Sequence, residues 1–166
     1  MITKSLLAGC LCLLLGSCAT SGLQEVVLSG HELHSSLGPK LLDGANHGVP
    51  RGVRDNPHST TDADVVESIA RSASQGKVGG TGIRAALYAL YQGEDELGFY
   101  GLEAATTQDA DRLEGILRAT WAHNVGIGIA RVHRGGQIFV VVWHDGVSAS
   151  CWQEVNAGLA KRLRKG

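Results

Sequence analysis

Residues 62–84 recur without a gap at 109–131: nine of the 23 positions are identical at an offset of 47. Asp62-Ala63-Asp64 falls on Asp109-Ala110-Asp111, and Glu67, Ile69 and Arg71 fall on Glu114, Ile116 and Arg118. Val78-Gly79 matches Val125-Gly126, and Arg84 matches Arg131. A period of this length is that of one supersecondary unit, so what one copy folds into, the other is expected to fold into as well.

The second copy is the more legible. Thr106 or Thr107 can cap a helix, with Asp109 and Asp111 in the first turn, where the helix dipole favours negative charge. Ala110, Leu113, Ile116, Leu117, Thr120 and Trp121 recur at helical spacing, and Asn124 ends the run. Two strands follow, Val125 to His133 and Ile138 to His144, around Arg134-Gly135-Gly136-Gln137; a Gly-Gly pair suits a two-residue hairpin loop. Pairing Arg134 with Gln137 puts Ile127, Ile129, Arg131, His133, Ile138, Val140, Val142 and His144 on one face. Gly126, Gly128, Ala130, Val132, Phe139, Val141 and Trp143 take the other. This second face is expected under helices, with the Trp143 ring over bare glycine backbone.

By analogy the first copy is a helix over 62–74, a strand over 80–91, a turn at Gln92-Gly93-Glu94-Asp95 and a strand over 96–104. Within Ile83 to Tyr91 two signals conflict. Ala86, Leu87, Leu90 and Tyr91 fit helical spacing and propensity, whereas the repeat demands a strand, and the repeat is followed. Ser150-Cys151-Trp152-Gln153 has the form of a capping box, and Trp152, Val155, Leu159 and Leu163 make the apolar stripe of a last helix. The order α-β-β-α-β-β-α predicts an α+β domain: a duplicated α-β-β unit plus a C-terminal helix, forming a four-stranded, mainly antiparallel sheet with helices packed on it. Its parts are repeats at 60–105 and 106–148 and a helix over 149–164.

The other constraint lies at the start of the chain. Lys4 precedes an apolar run from Leu6 to Leu15, far shorter than the ~20 apolar residues of a membrane-spanning helix, in the layout of a secretory signal peptide. The run ends in Leu15-Gly16-Ser17-Cys18, which resembles the lipobox of bacterial lipoproteins. The resemblance covers residues 1–18 only. It implies cleavage before Cys18, acylation of that cysteine on its sulfur and new amino group (palmitate among the acyl chains), and anchorage to the bacterial cell membrane. Alanine rather than aspartate at residue 19 implies, in a diderm host, the outer membrane and a periplasmic domain.

Cleavage would leave 149 of the 166 residues, enough for one domain with a core. Losing Lys4 takes the formal net charge from −1 to −2. That balance argues against nucleic acid as a partner, because such binding is dominated by phosphate neutralisation. Cys10 and Cys12 leave with residues 1–17 and Cys18 carries lipid, so Cys151 keeps the only thiol and no internal disulfide is available. Residues 18–59, punctuated by glycine, serine and proline, read as a lipid-anchored flexible tether before the domain at 60–166.

Candidate chemistry is sparse. Cys151 is expected at the first position of a helix, where backbone amides lower a thiol pKa. His144 and Asp145 lie just upstream as base and orienter for a thiol-dependent hydrolase or transferase. Ser150-Cys151-Trp152 resembles a papain-like protease in those three residues alone, and only 15 residues follow the cysteine where that family needs a downstream histidine and asparagine. The competing reading is a buried cysteine acting as a small hydrophobe. His31, His34, His47 and His58 cluster early. His31-Glu32-Leu33-His34 is one residue short of the His-Glu-x-x-His zinc spacing, which leaves weak metal binding by the tether or a solvated linker. Lys77 precedes the glycines at 79, 80 and 82, the reverse of a P-loop. The basic end at 161–165 suits a helix C-terminus. No cofactor is implied. The leading expectation is a non-catalytic envelope lipoprotein that binds a protein or cell-wall polymer. Its partner-binding surface would be the mixed hairpin face of Ile127, Ile129, Arg131, His133, Ile138 and Val140, provided that helices leave it open.

Overall fold

The structure, a computed structural model, describes residues 22–28, 38–39, 48–122 and 129–164. After a 3-10 turn at Gly22–Val26, the elements are β1 (Gly38–Pro39), β2 (His58–Thr60), α1 (Ala63–Ala73), β3 (Ile83–Gln92) and β4 (Glu96–Ala104). There follow α2 (Thr107–Trp121), β5 (Ile129–Gly135), β6 (Ile138–Asp145) and α3 (Ala149–Leu163). The fold is α+β with one antiparallel sheet, ordered β3-β4-β6-β5.

Four long strands stand as expected, and two short ones extend the sheet. β1 and β2 pair with separate stretches of β3, at Tyr91–Gln92 and Ala86–Tyr88. They fill one further position beside it, giving six strands in five positions. Between the two stretches the Asn56 side chain substitutes for a strand: its amide donates to the Leu90 carbonyl at 2.5 Å and its oxygen accepts from the Leu90 N–H at 3.0 Å. The edge of β3 is thus capped where neither short strand reaches it.

Local chemistry sets the helices. The Asp62 carboxylate accepts from the N–H groups of Asp64 and Val65, both at 3.1 Å, and starts α1. The Thr106 hydroxyl accepts from the Asp109 N–H at 3.1 Å and starts α2. The repeated Glu and Arg pair in both helices, Glu67 with Arg71 and Glu114 with Arg118, each at 2.8 Å. The Trp121 indole N–H donates to the Ala73 carbonyl at 2.6 Å, tying the end of α2 to the end of α1.

Both sheet faces are covered. Val66, Ile69, Leu113, Leu117 and Trp121 of α1 and α2 pack against Tyr88, Tyr100, Leu102, Phe139 and Val141. The 3-10 turn and α3 pack Leu23, Val26, Trp152, Val155 and Leu159 against Leu87, Phe99, Val140 and Val142. β3 is therefore buried on both sides, which explains its unbroken apolar run and its false helical periodicity.

Three expectations are corrected. The hairpin closes one pair further on than predicted: Gly135 faces Ile138 and Arg134 faces Phe139, leaving Gly136-Gln137 as the loop. Gly136 has φ +57°, the positive value a glycine-first two-residue loop requires. A side chain at Gly135 would strike the Leu163 carbonyl of α3, at 2.2 Å from its Cβ. The shift preserves which residues share a face. Second, Ser148 and not Ser150 caps α3: its hydroxyl accepts from the Cys151 N–H at 3.3 Å, so Cys151 is the third helical residue and not the first. Third, part of the expected tether belongs to the domain, because Leu23, Val26 and Leu28 are at most 6 % exposed beneath α3. Gly126 and Gly128 lie outside the described residues; the bare backbone under Trp143 is that of Gly98 in β4, its paired residue.

Candidate functional site

The thiol candidate is positioned by β6 and the first turn of α3. Cys151 is 3 % exposed and His144 is 7 % exposed. The His144 ring lies against the Trp152 indole, with centroids 4.4 Å apart, and neither ring nitrogen has a hydrogen-bond partner. Burial depresses the His144 pKa below the usual histidine value, partly offset by the negative charges of Asp145 and Asp95. Asp145 is exposed at the end of β6. A neutral imidazole is a competent base, but a thiol buried in the core cluster beneath α3 meets no external substrate. Burial also removes the exposure that marks reactive cysteines.

On the same sheet face the His133 Nε2–H donates to the Asn156 side-chain oxygen of α3 at 2.7 Å, and the Asn156 amide donates to the Trp152 carbonyl at 2.6 Å. Burial is the main cause lowering the His133 pKa; the Asn156 bond opposes it, and Arg131 and Arg118 add to it. The expected open hairpin face is consequently covered in its middle: Val140 is 2 % exposed. Arg131 is exposed, His133 and Ile138 are half-buried, and Ile127 and the Ile129 side chain lie outside the described residues. Cys18, His31, His34 and His47 also lie outside them. His58 sits in β2, with its Nδ1 3.7 Å from Asp55. Among the described residues no three histidine, cysteine or acidic side chains cluster as metal ligands.

The glycine loop after α1 is structural. The Arg112 guanidinium donates to the Thr81 carbonyl at 2.9 Å, and Asp109 lies 2.3 Å from where a Gly82 Cβ would be. It receives the start of α2.

What sequence reasoning missed is a groove of about 950 Å³ between the 3-10 turn, the second half of α3, the β5–β6 loop and the adjoining ends of β3 and β4. Val26, Leu28, Ile138 and Leu163 form its apolar lining, and Gly135, Gly136 and Gly158 expose backbone to it. Arg162 closes one end by donating to the Glu25 and Val27 carbonyls, both at 2.7 Å. At another side Arg84 pairs with Glu103, a carboxylate only 5 % exposed. The groove draws on five separated segments, so no local motif announces it. The single sequence signal was the repeated arginine, Arg84 with Arg131. No family model, curated protein or solved structure matches this chain.

Proposed function

We propose that this chain is a lipid-anchored cell-envelope protein, attached through Cys18, whose domain is a non-catalytic binding module. In this reading the domain derives from a duplicated α-β-β unit. The recurrence of α-β-β order with its Glu–Arg pair in each helix supports the duplication. The observation that carries the binding reading is a contrast. The side chains suited to catalysis, Cys151 and His144, are sealed in the core, while a large groove lined by both charged and apolar groups lies open. The binding surface accordingly moves from the hairpin face to its edge, where Ile138 lines the groove.

Two measurements test this. Labelled palmitate should enter the wild-type chain and not Cys18→Ser, and the variant should leave the membrane fraction; an unlabelled wild type would overturn the anchor. A photo-crosslinking residue at Gln137, in the hairpin loop that lines the groove, should form adducts in intact envelopes, with none from the same residue at Glu67 on the opposite sheet face. Equal adducts from both, or none from Gln137, would remove the groove as the binding surface.

A further inference from the structure

Resting on the reading of the groove as the binding site, we infer that its ligand is a short peptide carrying both an ammonium and a carboxylate group. The argument begins in the backbone. β3 carries one extra residue: Ile83 pairs with Ala104 and Ala85 with Glu103, leaving Arg84 between them. Without this bulge, strand alternation would put Arg84 with Ala86 beneath α1 and α2. The bulge turns it to the α3 side, beside Glu103. Bulges recur where a side chain must be re-aimed, often next to functional sites.

The re-aimed pair has unused capacity. The Glu103 carboxylate has about four acceptor positions and Arg84 five donors. The Arg84 side chain is 57 % exposed and free to take a ligand carboxylate in a forked pair, while Glu103 can accept from an ammonium or amide N–H. The rim repeats the mixture: Glu154 and Lys161 are exposed on α3, seven residues apart, with Gly158 between them receiving the Leu28 side chain. The lining balances the carboxylates of Glu25, Glu103 and Glu154 against the cations of Arg84, Lys161 and Arg162, so a ligand carrying both signs matches it better than a phosphate or polyanion. A neutral sugar would lack the aromatic stacking platform, since no described aromatic residue lines the groove. The volume lies within the roughly 300–1,000 Å³ of small-ligand pockets, which limits the occupant to a few residues rather than a folded partner. Cell-wall stem peptides and ordinary oligopeptides share this chemistry.

The test titrates the full ¹⁵N-labelled chain in detergent micelles with three probes. One is the tetrapeptide alanyl-glutamyl-lysyl-alanine. The second holds the same side chains in wall linkage, with D-glutamate joined through its γ-carboxyl and a D-alanine end. The third is a blocked tetra-alanine. Expected are saturable shifts of the Gly135, Gly136 and Gly158 amides with one or both charged probes and none with tetra-alanine; which charged probe binds tighter names the source. Arg84→Ala and Glu103→Gln should each weaken binding at least ~10-fold, and Lys161→Glu, on the exposed rim where folding is not at stake, at least ~3-fold. Equal binding of tetra-alanine, or no shifts with either charged probe, overturns the inference. Crosslinks at Gln137 without peptide binding would sink the ligand class alone, whereas loss of both sinks the groove.

Discussion

The His144 imidazole lies 4.4 Å from the Trp152 indole, the rings tilted by 47°, and this contact joins the last turn of the sheet to the first turn of α3. It places an ionisable ring where no acceptor meets it: both ring nitrogens are buried without a partner. The α3 N-terminus adds its positive dipole end and has no acidic residue in its first turn, so only Asp95 and Asp145 favour a charged ring.

Stability should therefore fall with acid. Burial holds the folded pKa of His144, and likewise that of His133, below the ordinary 6.5. The unfolded chain thus takes up protons first, and their contribution is complete above about pH 6.5 and lost progressively as pH falls below it. Urea midpoints between pH 7.5 and 5.5 should decline for the wild type and decline less for His144→Phe. Parallel wild-type and variant curves would show that the ring does not titrate as described.

Cys151 should be unreactive until the domain opens. With 3 % exposure, its reaction with Ellman's reagent should be at least roughly 100-fold slower in the folded chain than in urea. Comparable rates would restore the thiol as a candidate nucleophile.

Gly98→Ala probes the sheet at its closest approach. An added methyl would sit 2.1 Å from Trp143 Cε2, so the indole must leave its place over β4. Overpacking of this kind costs about 1–3 kcal/mol. Denaturant unfolding followed by tryptophan emission measures it, and a change below about 0.5 kcal/mol would mean that the ring is mobile there.

Legibility in the sequence followed the range of the contacts. The cap of α2 and the spans of β4 and β6 depend on residues within a few positions, and the sequence pattern located them. β3 needed the repeat, because burial on both faces erased its alternation. The hairpin loop slipped because Gly135 is demanded by Leu163, 28 residues away, and not by the turn. The groove was invisible because its charged pair depends on a one-residue bulge, and no local pattern around Arg84 betrays that.

The last prediction concerns where the domain begins. Leu23 is fully buried, its Cδ2 lying 3.0 Å from where a Gly101 Cβ would be, so a bare stretch of β4 receives it. Leu28 reinforces the seam: its carbonyl accepts from the Tyr91 hydroxyl at 3.2 Å. Were residues 22–28 merely a tether, Leu23→Ala would be neutral. As part of the core it should cost about 2–5 kcal/mol, the range for a buried leucine whose cavity does not collapse. Because the same segment forms one wall of the groove, the variant should also loosen peptide binding while leaving the acid dependence set by His144 unchanged. Urea unfolding at pH 7.5 reads the first effect, and an unchanged midpoint would return the domain boundary to residue 60.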